Sequence, residues 1–410
     1  MQSNQEVTKD GISLEEYQRR RATVLKQLKG QVGVVLAGEG APPLSGRWRP
    51  DANFLYLTGL ESEPGAAVLF DPTAESPKRQ CVLFLRPLNP ERERWDGYRE
   101  QICEALKART GFETVVRADA LPGALTGAAR RGKRLACLHS FSVYPAEPSA
   151  DLAAFKKVAE RVPEVSIEDH SLLLPALRAL KSAAELRLTR KAIAITAAGY
   201  TEALKSIRPG GTEDKVDQAL VQTFRQQGAR WPAYNSIVGS GLSSTVLHYM
   251  ENSAVLQAGD LLVIDAGAEY CGYAADVTRT YPVGGRFTPE QREVYEVVLK
   301  AQSAAIRAAR AGTLMSTVDD AARAVIEKAG YGDAFIHGIG HPLGIQVHDV
   351  APDGPLKAGM VVTIEPGVYL PDRKFGVRIE DDVLIQRRGN EVLTAAIPRT
   401  VKDVEAALRA

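Results

Sequence analysis

Four carboxylates and one imidazole in the C-terminal half have the types and spacing to do chemistry. Asp265 lies in VIDAG, Asp276 in YAADVTRTY, His341 in GIGHPLG, Glu365 in TIEPGVY and Glu380 in VRIEDD. Each sits within or beside an apolar or glycine-rich run, and bare charges are costly to bury there. Divalent cations would make that burial favourable, so the five read as a metal-ligand set. Oxygen-rich donors with a single nitrogen favour Mn²⁺, with Co²⁺, Fe²⁺ or Zn²⁺ also compatible. A structural zinc would need cysteines or more histidines.

The elements around these residues must bring them together. DLLVIDAGAEYCGYAADVTRTYPV reads as two strands about a turn centred near Tyr270 and Cys271, which sets Asp265 opposite Asp276. MVVTIEPGVYL and FGVRIEDDVLI read as a second strand pair about PDRK, with Glu365 and Glu380 symmetric across the turn. His341 comes from a glycine-flanked loop. Arg378 is in strand phase with Glu380, so both side chains share a face and the guanidinium can orient a ligand carboxylate. Two adjacent cations hold and acidify a bridging water, polarise a carbonyl and stabilise the oxyanion that follows. Such a hydrolysis needs no covalent nucleophile, and the chain shows neither a G-x-S-x-G elbow nor a plausible Cys-His arrangement.

On these residues the segment from about Leu177 to Leu393 resembles the pita-bread metallopeptidases, the group of methionine aminopeptidase, prolidase and aminopeptidase P. The family's ligand order Asp, Asp, His, Glu, Glu matches Asp265, Asp276, His341, Glu365 and Glu380. The resemblance implies that Glu365 also shuttles a proton from water to the leaving amine. It implies that His248 in VLHYM and His348 in IQVHD approach the substrate, and that Arg378 supports the site. His337 has a weaker claim, and Tyr369 resembles a family tyrosine beside the ligands.

The N-terminal half narrows the resemblance. RPDANFLYLTGLESEPGAAVLF followed by QCVLFLRP is similar to the N-terminal domain of aminopeptidase P, with D-x-x-F-x-Y-L-T-G running from Asp51 to Gly59. ERERWDGYRE is similar to a stretch whose tryptophan, here Trp95, lies near a neighbouring subunit's active site. The implied activity is release of the N-terminal residue ahead of proline, on peptides with proline at position two. Prolidase, an Xaa-Pro dipeptidase, is the alternative, and an inactive pita-bread binding module is a remote one. The resemblance also implies a homodimer or homotetramer. A prolidase would place a cation where a dipeptide carboxylate lands, and Arg47 and Arg49 are candidates. Trp48 and Trp231 are candidate cleft or core residues.

The chain has 410 residues, 51 basic and 50 acidic, so its formal net charge of +1 points to neither nucleic acid nor a membrane surface as partner. The start, MQSNQEVTKDGISLEEYQ, has no apolar core typical of a signal peptide, and no apolar run reaches spanning length. Four scattered cysteines (Cys81, Cys103, Cys137 and Cys271) form no C-x-x-C pair; buried thiols and a cytoplasmic setting are expected. The basic run Arg19 to Arg21 reads as a solvated helix face, and His139 and His170 as structural.

Alternating strand-like and helix-like runs predict an α/β N-terminal domain with a mixed sheet over 1–170. An α+β pita-bread catalytic domain is predicted over 171–410. Within the first, FLYLTGL is read as a strand and 91–109 as one helix. Within the second, helices are predicted over 182–206, 213–227, 289–311 and from Thr317 to a stop at Gly330. STVLHYM is read as a strand. The two rounds of helices then strands suggest an internal duplication.

Overall fold

A computed structural model describes residues 11–40 and 47–409. The opening decapeptide, part of the stretch read above as lacking a signal core, lies outside them. The chain forms two compact units, Ile12–Arg178 and Ala179–Ala410.

In the first unit, α1 (Leu14–Gln27) begins at a Ser13 cap. Then come β1 (Val32–Leu36), α2 (Ala52–Thr58), β2 (Ala67–Phe70), β3 (Cys81–Leu85), α3 (Pro90–Asp96), α4 (Glu104–Thr110), β4 (Thr114–Arg117), α5 (Leu121–Gly132), β5 (Arg134–Cys137), α6 (Ala150–Ala159), β6 (Ser166–Asp169) and α7 (Leu173–Ala179). Strand order is β4-β3-β2-β1-β5-β6, with both parallel and antiparallel neighbours, so the mixed sheet is present. Its core packs Val34, Leu69, Phe84 and Leu135 against Leu125 and Phe155.

Three sequence expectations change here. FLYLTGL is helical, not a strand: the Asp51 carboxylate accepts from the Asn53 and Phe54 amides, and Gly59 stops the helix at φ 67°. The single helix over 91–109 is two, because Gly97 takes φ 97° and breaks it. Arg20 and Arg21 are buried rather than solvated. Arg20 donates to Tyr56 O at 2.9 Å, and Arg21 to Leu57 O at 2.9 Å and Gly111 O at 3.0 Å. They satisfy carbonyls at two helix C-termini.

In the second unit, α8 (Ala183–Leu204) starts at a Ser182–Glu185 capping box, and α9 (Glu213–Gln226) follows. Gly199 lets the helices close up, since a Cβ there would stand 2.3 Å from the Phe224 ring. Next come β7 (Trp231–Pro232), β8 (Ile237–Ser240), β9 (Leu261–Asp265), β10 (Ala268–Tyr270), β11 (Tyr273–Ala274) and β12 (Thr278–Pro282). The second round is α10 (Pro289–Ala308), α11 (Met315–Lys328), β13 (Val361–Ile364), β14 (Gly367–Leu370), β15 (Phe375–Arg378), β16 (Asp381–Ile385), β17 (Asn390–Val392) and α12 (Val401–Ala407). STVLHYM is a 3₁₀ turn over Gly241–Thr245 leading into irregular chain, not a strand, and Ser244 is held there by the Gly376 amide donating to its Oγ at 2.8 Å.

One buried charge cluster ties the rounds together. Arg279, fully buried, pairs with Asp381 at 2.7 Å and donates to the Glu380 and Thr278 carbonyls, while Arg399 reaches Asp381 at 2.8 Å. Burial opposes ionisation of Asp381, yet Arg279 and Arg399 outweigh it and hold the carboxyl below its ordinary range. A depressed folded value means a contribution to stability that is present above the unfolded pKa and lost as pH falls through the folded one. Arg279→Met should lower the unfolding free energy by about 3–5 kcal/mol, because it strands a buried carboxylate. Urea unfolding at neutral pH measures this, and a loss under about 1 kcal/mol would contradict it.

Candidate metal centre

The two hairpins carry the carboxylates. In the first, β10 and β11 turn at Cys271 and Gly272, whose φ values of 48° and 81° suit a two-residue hairpin loop. This is one residue later than the turn expected from the sequence. Asp265 therefore pairs with Thr278, and Asp276 is its diagonal neighbour on the same face rather than its direct opposite. Gly267 permits the close crossing, because a Cβ there would lie 1.8 Å from Ala275 O.

The second hairpin follows the expected symmetry. Ile364 pairs with Asp381 and Gly367 with Arg378, so Glu365 and Glu380 face each other between two short ladders. The hairpins are stitched together at Glu380, whose amide donates to Thr278 O at 3.0 Å. Thr278 Oγ1 in turn donates to Glu380 Oε2 at 2.6 Å. His341 runs beside β13, its carbonyl accepting from the Thr363 amide at 2.8 Å.

These elements place all five predicted ligands around one cavity of ≈ 590 Å³, with His248, His348 and Arg378 on its walls. Asp276, His341 and Glu380 each offer a ligand atom, all within 4.8 Å of one another. His341 Nε2 lies 3.4 Å from Asp276 Oδ2 and 3.5 Å from Glu365 Oε1. Its Nδ1 sits 3.1 Å from Pro342 O, a contact that places a proton on Nδ1 and turns Nε2, the ligand nitrogen once its own proton is displaced, toward the carboxylates.

The donor set fits divalent cations. Burial, then neighbouring carboxylates, push Asp276 and Glu380 up, and the same forces push Glu365 up to about 7. His341 is raised to about 9, its carboxylate neighbours outweighing burial. Tyr234 makes the excess of negative charge visible. Its one hydroxyl proton faces Asp265 Oδ1 at 2.6 Å and Asp276 Oδ1 at 2.5 Å. A single donor cannot serve both carboxylates, so protons or cations must supply the remaining positive charge.

Arg378 does orient a carboxylate of the set, Asp265: Nη2 donates to Asp265 Oδ2 at 2.7 Å and Nη1 to Tyr369 Oη at 3.1 Å. Tyr369 also meets His337 Nε2 at 2.9 Å. Burial drives His337 down to about 4, so it is neutral near pH 7. His348 is exposed and stacks on His341 at 3.9 Å between ring centroids. His248 is exposed on the irregular segment after the 3₁₀ turn.

Sequence reading missed Tyr234 and Thr278, and also Asp382, whose buried carboxylate accepts from the Asp276 amide at 3.3 Å. Only the IEDD run hinted at Asp382. Trp231 is half-buried with the Arg225 and Arg230 guanidiniums each 5.9 Å from its ring centroid, and is not among the residues lining the cavity. His139 accepts from the Leu36 amide at 3.1 Å, and the His170 amide donates to Cys137 O at 3.0 Å. All four cysteines are free; only Cys137 is buried and Cys103 is exposed, against the expectation of buried thiols.

Comparison with known proteins gives a consistent answer. Residues 187–387 match Metallopeptidase family M24, and residues 17–136 match Aminopeptidase P, N-terminal domain. An Xaa-Pro aminopeptidase of Haemophilus influenzae is 35% identical over 95% of this chain and 96% of its own. An Xaa-Pro dipeptidase of Pyrococcus furiosus is 40% identical but over 53% of this chain and 64% of its own. A solved aminopeptidase from Pseudomonas aeruginosa superposes with TM-score 0.87 at 33% identity, covering 97% of this chain and 98% of that one.

A cation must displace the protons held by Glu365 and His341. Its affinity should therefore rise with pH between about 7 and about 9 and weaken below. Calorimetric titration with Mn²⁺ at several pH values checks this, and a flat or inverted profile would contradict it. Asp276→Asn should weaken binding at least about tenfold with the circular dichroism unchanged.

Proposed function

The chain belongs to metallopeptidase family M24, with the N-terminal domain of aminopeptidase P, and from that premise we propose that it releases the N-terminal residue ahead of proline from peptides. Asp265, Asp276, His341, Glu365 and Glu380 are the proposed ligands of two divalent cations. The convergence of four carboxylates and one imidazole, oriented through its Nδ1 by Pro342 O, on a single cavity carries this reading. When bound, the cations acidify a water and polarise the scissile carbonyl.

The chain's own residues do the rest. Glu365, which faces the cavity beside His341, takes the proton from the attacking water and returns it to the prolyl nitrogen as the bond breaks. The leaving nitrogen of an X–Pro bond has no hydrogen of its own, so this delivery completes the amine. His248 and His348, exposed at the cavity wall, donate to the substrate carbonyl as negative charge grows there. Arg378 fixes Asp265 with a charge-assisted bond, and Tyr369 and His337 brace Arg378 from behind. Tyr234 lies against both aspartates and gives its one hydroxyl proton to either of them.

Full-length similarity to aminopeptidases, against half-length similarity to a dipeptidase, supports peptides longer than two residues as substrates. Manganese is the proposed metal, on the strength of the oxygen-rich donors. A cytoplasmic homodimer or homotetramer is the proposed state. Trp95 and Tyr98, 88% and 94% exposed, offer aromatic surface to a second copy. Among the described residues no helix is long and apolar enough to cross a membrane.

X-Pro-Y tripeptides should be cleaved with higher kcat/KM than matched X-Pro dipeptides. A dipeptide advantage of about tenfold, about 1.4 kcal/mol in transition-state binding, would overturn the assignment and make Arg47→Ala the next variant. His248→Ala and His348→Ala should each lower kcat by roughly 10²–10³ with metal content unchanged. Loss of metal in either variant would instead make that histidine a ligand.

A further inference from the structure

His348 poses a question of placement. Its ring is exposed, and its contact on the protein side is the stack against His341. An imidazole that must meet a substrate carbonyl in one orientation needs its backbone held from elsewhere.

The next residue supplies the hold. The Asp349 amide donates to Pro342 O at 2.9 Å and closes residues 342–349 into a compact loop. The Asp349 carboxylate meets the Lys181 ammonium at 3.3 Å, with the two side chains 1% and 2% exposed. Gly344 crosses this pair so closely that a Cβ would stand 2.1 Å from Asp349 Oδ2 and 3.0 Å from Lys181 Cε. Its carbonyl accepts from the Ala274 amide at 2.9 Å, which ties the loop to the hairpin carrying Asp276. Lys181 is anchored in turn, its amide donating to Gly359 O at 2.9 Å just before the capping box of α8.

A buried ion pair is weak evidence for stability, because an apolar pair of similar volume often does as well or better. Its location then points to geometry as its contribution. We propose that Lys181 and Asp349 are positioning residues whose buried ion pair clamps loop 342–349 and so holds the His348 imidazole in place over the reaction cleft. The proposal rests on the reading of His348 as a substrate-contacting residue. It adds a requirement outside the ligand set: the start of α8 sets where that histidine stands.

The test is the paired variant Lys181→Met/Asp349→Leu, which removes both charges and strands neither. On X-Pro-Y peptides its kcat should fall roughly ten- to hundredfold, the effect of small misplacement at a reacting centre, with KM and metal content near wild type. The same pair of substitutions in a His348→Ala background should add no further loss, since the residue being positioned is gone. Hydrogen exchange at the Asp349 amide should quicken about tenfold as the loop loosens. If the paired variant does not fold, Asp349→Asn, which keeps the shape, is read through the same cycle. Wild-type kcat, an equal further loss in the His348→Ala background, or loss of metal would each overturn the proposal. A wild-type enzyme inactive on X-Pro-Y peptides would sink the functional reading instead. Unchanged exchange at Asp349 would still refute the clamp in that case, and faster exchange would uphold it.

Discussion

Negative charge crowded into a buried cavity is the constraint on which this architecture depends. Asp265, Asp276 and Glu380 are buried where they converge with the partly buried Glu365, and the protein's own positive groups do not balance them. Arg378 answers Asp265, and Thr278 and Tyr234 each donate one hydrogen bond. The remainder calls for cations. The hairpin stitching, the charge cluster behind Glu380 and the protonated Nδ1 of His341 all serve to keep an unfavourable arrangement in one geometry.

The scaffold achieves this by making the two hairpins interdependent. Glu380 bonds through its amide to Thr278 of the other hairpin, and Arg378 reaches across to Asp265. Beneath them, Arg279 ties the carbonyls of Thr278 and Glu380 to Asp381. A displacement of one hairpin is therefore felt by ligands on both. Rigid placement of this kind suits chemistry in which much of the work is preorganised electrostatics.

Much of the site is legible in the sequence because β-structure has period two and hairpins are symmetric about their turns. Glu365 and Glu380 follow from that rule. Asp265 and Asp276 nearly do, but the two-residue turn at Cys271 and Gly272 shifts the register and makes them diagonal. FLYLTGL misleads because its aromatic and aliphatic content suits a strand, while the Asp51 cap and Gly59 stop select a helix. STVLHYM misleads for a similar reason: Ser244 and Thr245 make local hydrogen bonds to the Gly241 and Leu242 carbonyls, and Ser244 also accepts from the Gly376 amide, which displaces the strand. Tyr234 was illegible, since no spacing links it to aspartates 31 and 42 positions away. Arg20 and Arg21 hid as surface charge because nothing local shows which carbonyls they will meet.

Cations, not protons, complete this cavity in the proposed working protein. The most direct measurement is the cation stoichiometry of metal-stripped protein titrated with Mn²⁺ near pH 8, with the unfolding temperature followed in parallel. The account predicts about two ions bound per chain, as two-metal hydrolytic sites require, and an unfolding temperature that rises with free Mn²⁺ by mass action. Saturation without a bound ion, with the unfolding temperature indifferent to Mn²⁺, would contradict it.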